Sequence, residues 1–367
     1  MKKIRVLFIG YGTNLGGIET YLFNLVKNAD LNKFSFSFLT FKGNKKIVFY
    51  DELINMGCKI YEITPRTKNY FKFLKELKDV YKNNGFDYIH FNLMDLSCFE
   101  RITYANKYSK AKLIIHSHCG SKNYIKTKSK ISQLLNKYGR QRIKNINYYR
   151  VACGKEAGNY MFNHYPFIIF NNGIDFNKFK FNKNYRYEIR KKLNIEDDEI
   201  CIGLVAAFLS VKNHEFLIDI MANLKDKKVK MILIGTGPLE EEIKKKVSRL
   251  NLLKQVIFLG ERTDAFKYYS AMDIYLMPSI SEGLSISLCE AQINGLKCYT
   301  TTGVDRNSNI SNNVIFISLE KKAEEWANYI INSNNERDMN VLKKIPDEFN
   351  AKKSYEKVYK FYKDNLR

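Results

Sequence analysis

The chain has 367 residues, 45% of them hydrophobic and 27% charged, with a formal net charge of +23. That length favours two domains of about 150 residues, each able to bury its own core, and no apolar run approaches the roughly 18 residues of a membrane-spanning helix. Its seven cysteines (58, 98, 119, 153, 201, 289 and 298) show no Cys-x-x-Cys spacing, so neither a zinc site nor a disulfide framework is indicated and they read as reduced.

The first residues, Met1-Lys2-Lys3-Ile4-Arg5-Val6-Leu7-Phe8-Ile9-Gly10, are basic and then apolar. The apolar run is too short for a signal peptide, and Gly10 to Gly17 continues as a loop where a cleavage site would be needed. The chain is therefore expected to stay in the cytoplasm. From there, apolar runs of strand length alternate with segments of helical period. Strands are predicted over Ile4–Ile9, Phe34–Phe41, Lys59–Ile63, Tyr88–Asn92, Lys112–Ser117, Tyr149–Ala152 and Phe167–Phe170, with helices between them such as Ile18–Ala29 and Phe71–Lys82. After Asn172-Gly173 the alternation restarts. Strands follow over Cys201–Phe208, Val229–Ile234, Val256–Leu259, Ile274–Met277, Lys297–Thr301 and Val314–Ile317, and helices over His214–Leu224, Leu239–Leu250 and Ile286–Asn294. Two such runs predict an α/β protein of two Rossmann-like, doubly wound parallel-sheet domains, residues 1–175 and 176–346, with the boundary near Gly173 to Lys183. Such sheets bind ligands beyond the carboxyl ends of their strands, which predicts an active site in a cleft between the domains. The remainder, 347–367, holds a last helix from Ser354 to Leu366 with Tyr355, Val358, Phe361 and Tyr362 on one side.

Charge is one-sided. Residues 1–180 hold 31 Lys and Arg against 12 Asp and Glu, a net +19, which leaves +4 for the rest. Lys122 to Arg150 contains nine basic residues, among them Lys126, Lys128, Lys130 and Lys137, and no acid. Interleaved Ile131, Leu134, Leu135, Tyr138, Ile143 and Ile146 give a partly helical apolar period. The segment is expected to meet an anionic membrane surface, or an acceptor held there; the alternative is a solvated face in a chain rich in Lys and Asn. No recognition-helix, zinc-finger or aromatic RNA-binding motif accompanies the basic balance, so nucleic acid is not an expected partner.

The segment most informative about chemistry is Pro278 to Ala291. Asp273 to Met277 reads as a buried strand and Ile286 to Asn294 as a helix stopped by Gly295. This puts Glu282 and Gly283 at a predicted helix N-terminus, where free N–H groups and the positive end of the dipole suit a phosphate. Gly283 lets the backbone approach a ligand closely. Glu290 follows Gly283 by about two turns, so both can face one side. Helix physics alone also allows Glu282 as a capping acid and Glu290 as a solvated helix residue. The pattern Ser281-Glu282-Gly283-Leu284-x-x-x-Leu288-x-Glu290-Ala291 resembles the signature of the retaining glycosyltransferases of family 4. Further matches follow the family order along nearly the whole chain: Leu15-Gly16-Gly17-Ile18-Glu19, Ile114-Ile115-His116-Ser117-His118, Asn172-Gly173-Ile174-Asp175, Lys212-Asn213-His214 and Gly235-Thr236-Gly237-Pro238. Each alone is weak; six in order are specific. The flavour is similar to the bacterial capsule and exopolysaccharide branch.

The resemblance implies the GT-B fold, with the last helix returning to the first domain. It also implies retaining transfer from a nucleoside-diphosphate sugar, expected to be UDP-linked, to a growing surface glycan. The expected acceptor is a lipid-diphosphate oligosaccharide at the inner membrane face, with the protein peripherally attached there. In that family the second Glu, here Glu290, holds the ribose. The first, here Glu282, and the amides after it, here Gly283, Leu284, Ser285 and Ile286, meet the sugar and the diphosphate. Gly16 and Gly17 are expected to bring backbone against the donor phosphate or the acceptor. His118 corresponds to the family's active-site His and could orient an acceptor hydroxyl or donate to a donor-sugar hydroxyl. His116 lies deeper on the same strand face, and with His90, His164 and His214 it reads as structural. Glu19 reads as a helix cap.

The leaving diphosphate needs a cation, and Lys212, between a strand and a helix, suits that need. The chain has no Asp-x-Asp pair, so a metal-bridged diphosphate is not indicated, and neither a metal nor another cofactor is expected. One departure stands out. The family commonly has an Arg five residues before the Lys; here it is Ala207. Losing a bidentate guanidinium costs roughly 1.5–3 kcal/mol, unless Arg262 or Arg306 substitutes. Ala207 thus keeps open a non-catalytic partner subunit of another glycosyltransferase. A nicotinamide enzyme built on Gly10-Tyr11-Gly12 is disfavoured, because Leu15 breaks Gly-x-Gly-x-x-Gly and Thr40-Phe41-Lys42 stands where the ribose-binding acid belongs.

Overall fold

The computed structural model describes residues 2–14, 16–43, 45–118, 128–332, 334 and 336–366. The chain divides into two compact units, Met1–Gly173 with Glu348–Arg367, and Ile174–Asp347.

The first unit runs β1 (Ile4–Ile9), α1 (Gly17–Lys27), β2 (Phe34–Phe41), α2 (Tyr50–Asn55), β3 (Lys59–Ile63), α3 (Tyr70–Asn83), β4 (Tyr88–Leu93), α4 (Glu100–Tyr108), β5 (Lys112–Ser117), α5 (Lys130–Arg142), β6 (Tyr149–Ala152), α6 (Lys155–Phe162) and β7 (Ile168–Ile169). The second runs α7 (Phe176–Phe179), α8 (Lys183–Lys192), β8 (Ile200–Val205), α9 (His214–Ala222), β9 (Val229–Ile234), α10 (Glu240–Arg249), β10 (Val256–Phe258), α11 (Ala265–Ala271), β11 (Ile274–Met277), α12 (Ile286–Ile293), β12 (Lys297–Thr301), β13 (Val314–Ile317) and α13 (Ala323–Asn332). The chain then returns to the first unit as α14 (Ala351–Asp364).

Among the described residues the first sheet is parallel, in the order β3-β2-β1-β4-β5-β6-β7. Its strands are near-continuous apolar runs because helices cover both faces. On one face Phe34, Phe36 and Phe38 alternate inward and pack with Tyr21, Leu22 and Leu25 of α1 and with Tyr355, Val358, Tyr359 and Tyr362 of α14. On the other, Phe73, Leu77 and Tyr81, one turn apart on α3, join Ile89, Phe91 and Ile102. The last helix begins at Ala351, earlier than the predicted Ser354, because the Asn350 side chain caps it by accepting the Lys352 N–H at 3.0 Å. Strand β7 is shorter than predicted, since its ladder to β6 consists of Val151↔Ile168 and Ala152↔Ile169.

The second sheet, also parallel, has the order β10-β9-β8-β11-β12-β13 among the described residues. Strand β8 stops at Val205, three residues before the predicted end. The chain there turns towards the end of β9, with Ala206 N–H on the Ile234 carbonyl at 2.9 Å and Phe208 N–H on that of Thr236 at 3.1 Å. Strand order reverses between β1 and β4 in one sheet and between β8 and β11 in the other. Loops beyond the carboxyl ends at such reversals form the ligand crevices of doubly wound sheets.

Candidate functional site

In the second unit the loops after β8 and β11 meet at the reversal. The 278–285 segment is pinned from both sides. Ile280 N–H donates to the Val211 carbonyl at 2.8 Å, Glu282 N–H to the Gly303 carbonyl at 3.3 Å, and Asp305 N–H to the Glu282 carbonyl at 3.0 Å. Ser308 Oγ donates to the Gly283 carbonyl (3.1 Å) and accepts from Ser285 N–H (3.1 Å). The helix starts at Ile286, as the sequence predicted. Ser285 is the N-cap of α12, so Glu282 and Gly283 lie in the preceding loop and not on the helix end itself. The N–H groups of Gly283, Leu284 and Ile286 have no acceptor among the described residues, and Ser285 makes no side-chain cap. A run of free amides at the positive end of a helix is suited to an anion.

Lys212, in the turn Ser210–Lys212 after β8, forms an ion pair with Glu282. Glu290 does not join that pair. It sits on α12, where the hydroxyl of the fully buried Tyr269 donates to its Oε2 at 2.7 Å. Burial pushes the Glu290 carboxyl up to about 7, while the Tyr269 hydrogen bond and the Lys178 charge pull it down. Sequence reasoning did not find Tyr269, because its only signal is a contact across 21 residues. Ala207 is exposed beside the Gly235-Thr236-Gly237 turn. That turn lies flush on the 206–208 backbone: Gly235 has φ +140°, and a Cβ there would sit 2.1 Å from the Ala206 carbonyl oxygen. Neither expected substitute for the missing Arg is engaged with Lys212 or Glu282. Arg262 is bidentate to Asp264 at 2.7 and 3.0 Å, and Arg306 stacks over Phe316 at 3.9 Å. His214 is buried against the Phe208 ring at 4.1 Å.

In the first unit, the loop after β1 is drawn tight. Gly10 has φ +101°, and a Cβ there would fall 2.0 Å from the Asn92 carbonyl oxygen of β4. Glu19 reaches back from α1, and its Oε1 accepts the Gly12 N–H at 2.9 Å. It thus braces the loop where a helix cap was expected. Gly16 is the N-cap of α1, and a Cβ on it would meet Glu19 Oε2 at 2.8 Å, whereas Gly17 has open space around its Cα. At the end of β5, His118 Nε2 lies 3.0 Å from Asn92 Oδ1. With that nitrogen protonated, Nδ1 is left as an acceptor. Burial lowers His118 to about 3, so the ring is neutral. Its ring packs tilted against that of His116, with centroids 4.0 Å apart. His116 Nδ1 lies 3.2 Å from His90 Nε2, and His90 Nδ1 lies 2.6 Å from the Tyr362 hydroxyl. His116 Nε2 and the Tyr21 hydroxyl are buried without a partner among the described residues.

Of the basic stretch, Lys128, Lys130 and Lys137 are exposed; Lys126 lies outside the described residues. Among those residues no helix is long and apolar enough to cross a membrane, and no three His, Cys, Asp or Glu side chains cluster as a metal site would require.

Two doubly wound parallel-sheet units in succession define the GT-B architecture, and comparisons with known proteins agree. HepE of Anabaena, in complex with UDP and glucose, superposes with a TM-score of 0.79 over 98% of this chain and 99% of its own, at 15% identity. WaaG, a glycosyltransferase of lipopolysaccharide biosynthesis, gives 0.68 over 98% of each chain at 14% identity. Residues 186–341 match the model of glycosyl transferases group 1. EpsF of Bacillus subtilis (strain 168), provisionally named a glycosyltransferase, is 30% identical over 338 residues, 89% of this chain and 86% of its own. The chain belongs to the glycosyl transferases group 1 family. An Escherichia coli relative, UDP-Gal:alpha-D-GlcNAc-diphosphoundecaprenol alpha-1,3-galactosyltransferase, is 25% identical over 205 residues, about half of each chain.

Proposed function

We propose that this glycosyltransferase is a retaining, metal-independent enzyme of the family 4 type. It would take a UDP-sugar and pass the sugar to a lipid-diphosphate-linked oligosaccharide on the way to a surface polysaccharide, at the cytoplasmic face of the membrane. The observation that carries the reading is the grouping in the second unit: Lys212 on Glu282, next to the free amides of Gly283, Leu284 and Ile286, with Glu290 on the helix that this loop leads into. The E. coli relative's name, with its UDP-galactose donor and diphosphoundecaprenol-linked acceptor, supports the substrate classes.

The roles follow from the chemistry. The diphosphate would take the amides and the Lys212 ammonium, which leaves Glu282 to accept from a sugar hydroxyl. Charge builds on the departing oxygen as the C1–O bond breaks, and the fixed cation and amide dipoles stabilise it without reorganising. Glu290 would accept two ribose hydroxyls. The Gly16-Gly17 backbone and His118 are assigned to the acceptor side. A neutral His118, whose Nδ1 can accept a hydrogen bond from a hydroxyl, orients the acceptor but is too weak a base to deprotonate it. In front-face displacement the departing diphosphate oxygen takes that proton while the acceptor oxygen bonds to C1, so configuration is retained.

Titration with UDP tests the site. Glu290→Ala should weaken binding at least about tenfold, the scale of charged hydrogen bonds at roughly 1.5–3 kcal/mol; unchanged affinity would mean Glu290 is a helix acid unrelated to nucleotide. Ala207, with Arg262 and Arg306 engaged elsewhere, favours one second reading, a partner subunit of another glycosyltransferase. Donor hydrolysis or transfer by the purified chain alone would exclude it.

A further inference from the structure

Helix α5 turns its polar side inward. Asn136 and Gly139 are its buried residues. Asn136 Oδ1 accepts the Leu96 N–H at 2.8 Å, and a Cβ on Gly139 would lie 2.2 Å from the Leu96 carbonyl oxygen. Arg140 donates to the carbonyls of Met161 at 2.7 Å and Tyr160 at 3.0 Å. These contacts fix which side of the helix faces the unit.

At about 100° per residue, the opposite side carries Ile131, Leu134 and Tyr138, spaced i, i+3, i+7 in one stripe. They are 71%, 67% and 51% exposed. Three large apolar side chains in a row in water oppose the burial that drives folding, and such a patch marks a binding surface. The same projection puts Lys130 and Lys137 on one flank and Arg142 on the other, all exposed. The helix itself carries no acid, since Arg101 to Lys155 contains no Asp or Glu, and Glu100, next to Phe99, is buried and paired with Arg66 at 3.0 Å. Phe99 holds the Tyr138 ring edge-on at 5.2 Å. A second apolar point lies close by. Phe71, in the first turn of α3 just after Arg66, the partner of Glu100, is 83% exposed between the exposed Lys68 and Lys72.

We propose that this face of the first unit is a lipid-docking surface. Ile131, Leu134 and Phe71 enter an anionic leaflet, Tyr138 sits at the headgroups, and Lys130, Lys137 and Arg142 lie on the anionic lipids. The apolar stripe flanked by cations on an acid-free helix is what commits the surface to lipid: such a helix lies in the interface plane, held by burial and by attraction to anionic headgroups together. The inference deepens the lipid-linked acceptor reading, yet it can be measured with no nucleotide present.

The full chain is sedimented with vesicles of phosphatidylglycerol mixed with phosphatidylcholine, and with phosphatidylcholine alone, at low and high salt. Wild type should bind the anionic vesicles. Lys130→Gln and Lys137→Gln should each lower partitioning about fivefold at low salt, and little near 1 M, where the screening length is about 3 Å. Ile131→Ser with Leu134→Ser should lower it at least about tenfold at either salt, because burial of apolar surface is not screened. Leu134→Trp should report a blue-shifted emission on anionic vesicles; it requires no loss of binding or fold and covers a serine variant that misfolds. The proposal is overturned if wild type ignores anionic vesicles at low salt, if the folded serine variant binds as wild type does, or if Leu134→Trp stays water-exposed on bound protein. Self-association of wild type that Leu134→Ser abolishes, without vesicle binding, would also overturn it in favour of a protein contact. Vesicle binding without sugar transfer would sink the enzymatic reading alone, and transfer to a soluble acceptor without vesicle binding would sink only this one.

Discussion

Tyr269→Phe removes one oxygen from a closed core, and its effect can be worked through. The Tyr269 hydroxyl donates to Glu290 Oε2 at 2.7 Å, and burial already holds that carboxyl at about 7. Loss of a hydrogen bond to a carboxylate, roughly 1.5–3 kcal/mol, raises its pKa by about one to two further units at 1.36 kcal/mol per unit. A ribose hydroxyl needs the ionised form as acceptor. Affinity for a UDP-sugar should therefore be flat above about pH 8 in wild type and fall towards about tenfold per unit below about pH 7. In Tyr269→Phe the same curve should shift up by one to two units, leaving binding about tenfold weaker at neutral pH and largely restored near pH 9. Glu290→Gln should bind weakly with no such midpoint. The sign of stability runs the other way in the free protein. The folded carboxyl keeps its proton up to about 7, whereas an ordinary one releases it near 4.5. Across that window the unfolded chain binds fewer protons, so this group makes stability fall as pH rises, and Glu290→Gln should remove that slope. Calorimetry with a nucleotide sugar, whose diphosphate does not titrate in this range, reads the binding curve. A midpoint unmoved by Tyr269→Phe, or a flat wild-type profile, would refute the reasoning.

Lys212→Ala and Glu282→Gln should each lower turnover strongly, and Lys212→Ala should also weaken donor binding, because the cation opposes charge that grows in the transition state; EDTA should change neither, and dependence on a divalent ion would remove the metal-free mechanism. His118→Ala should lose transfer while donor binding persists, and transfer surviving within about threefold would make His118 structural. Ala207→Arg should tighten donor binding by about tenfold, the scale of a bidentate charged contact, measured as a lower KM; no change would show that the exposed 207 position lies away from the diphosphate.

The sheets were legible because each strand is an apolar run and each helix has its own period; β1, β2 and β11 match residue for residue. The signature was legible because its spacing survives in one continuous segment. What the sequence withheld depends on contacts between distant segments. Nothing local says that Tyr269 supports Glu290, that Glu19 folds back onto Gly12, or that His90 links Tyr362 to His116 across 272 and 26 residues. The end of β8 depends on carbonyls of a neighbouring strand. Helix α5 was readable as periodic, but its inward side was not, because Asn136 and Gly139 face the unit while Ile131 and Leu134 do not. The inward polar atoms meet the Leu96 backbone, which no helical pattern reports.

The central claim is retaining transfer of a sugar from a UDP-linked donor by this chain alone. The direct measurement is to incubate the purified full chain with a panel of UDP-sugars, a lipid-diphosphate oligosaccharide acceptor and EDTA. Released UDP is followed, and the anomeric proton coupling of the product is read by NMR. The account predicts UDP release that depends on acceptor and, from an α-linked donor, an α-linked product. An inverted linkage would contradict retention, and no UDP release from any donor would contradict the enzyme itself.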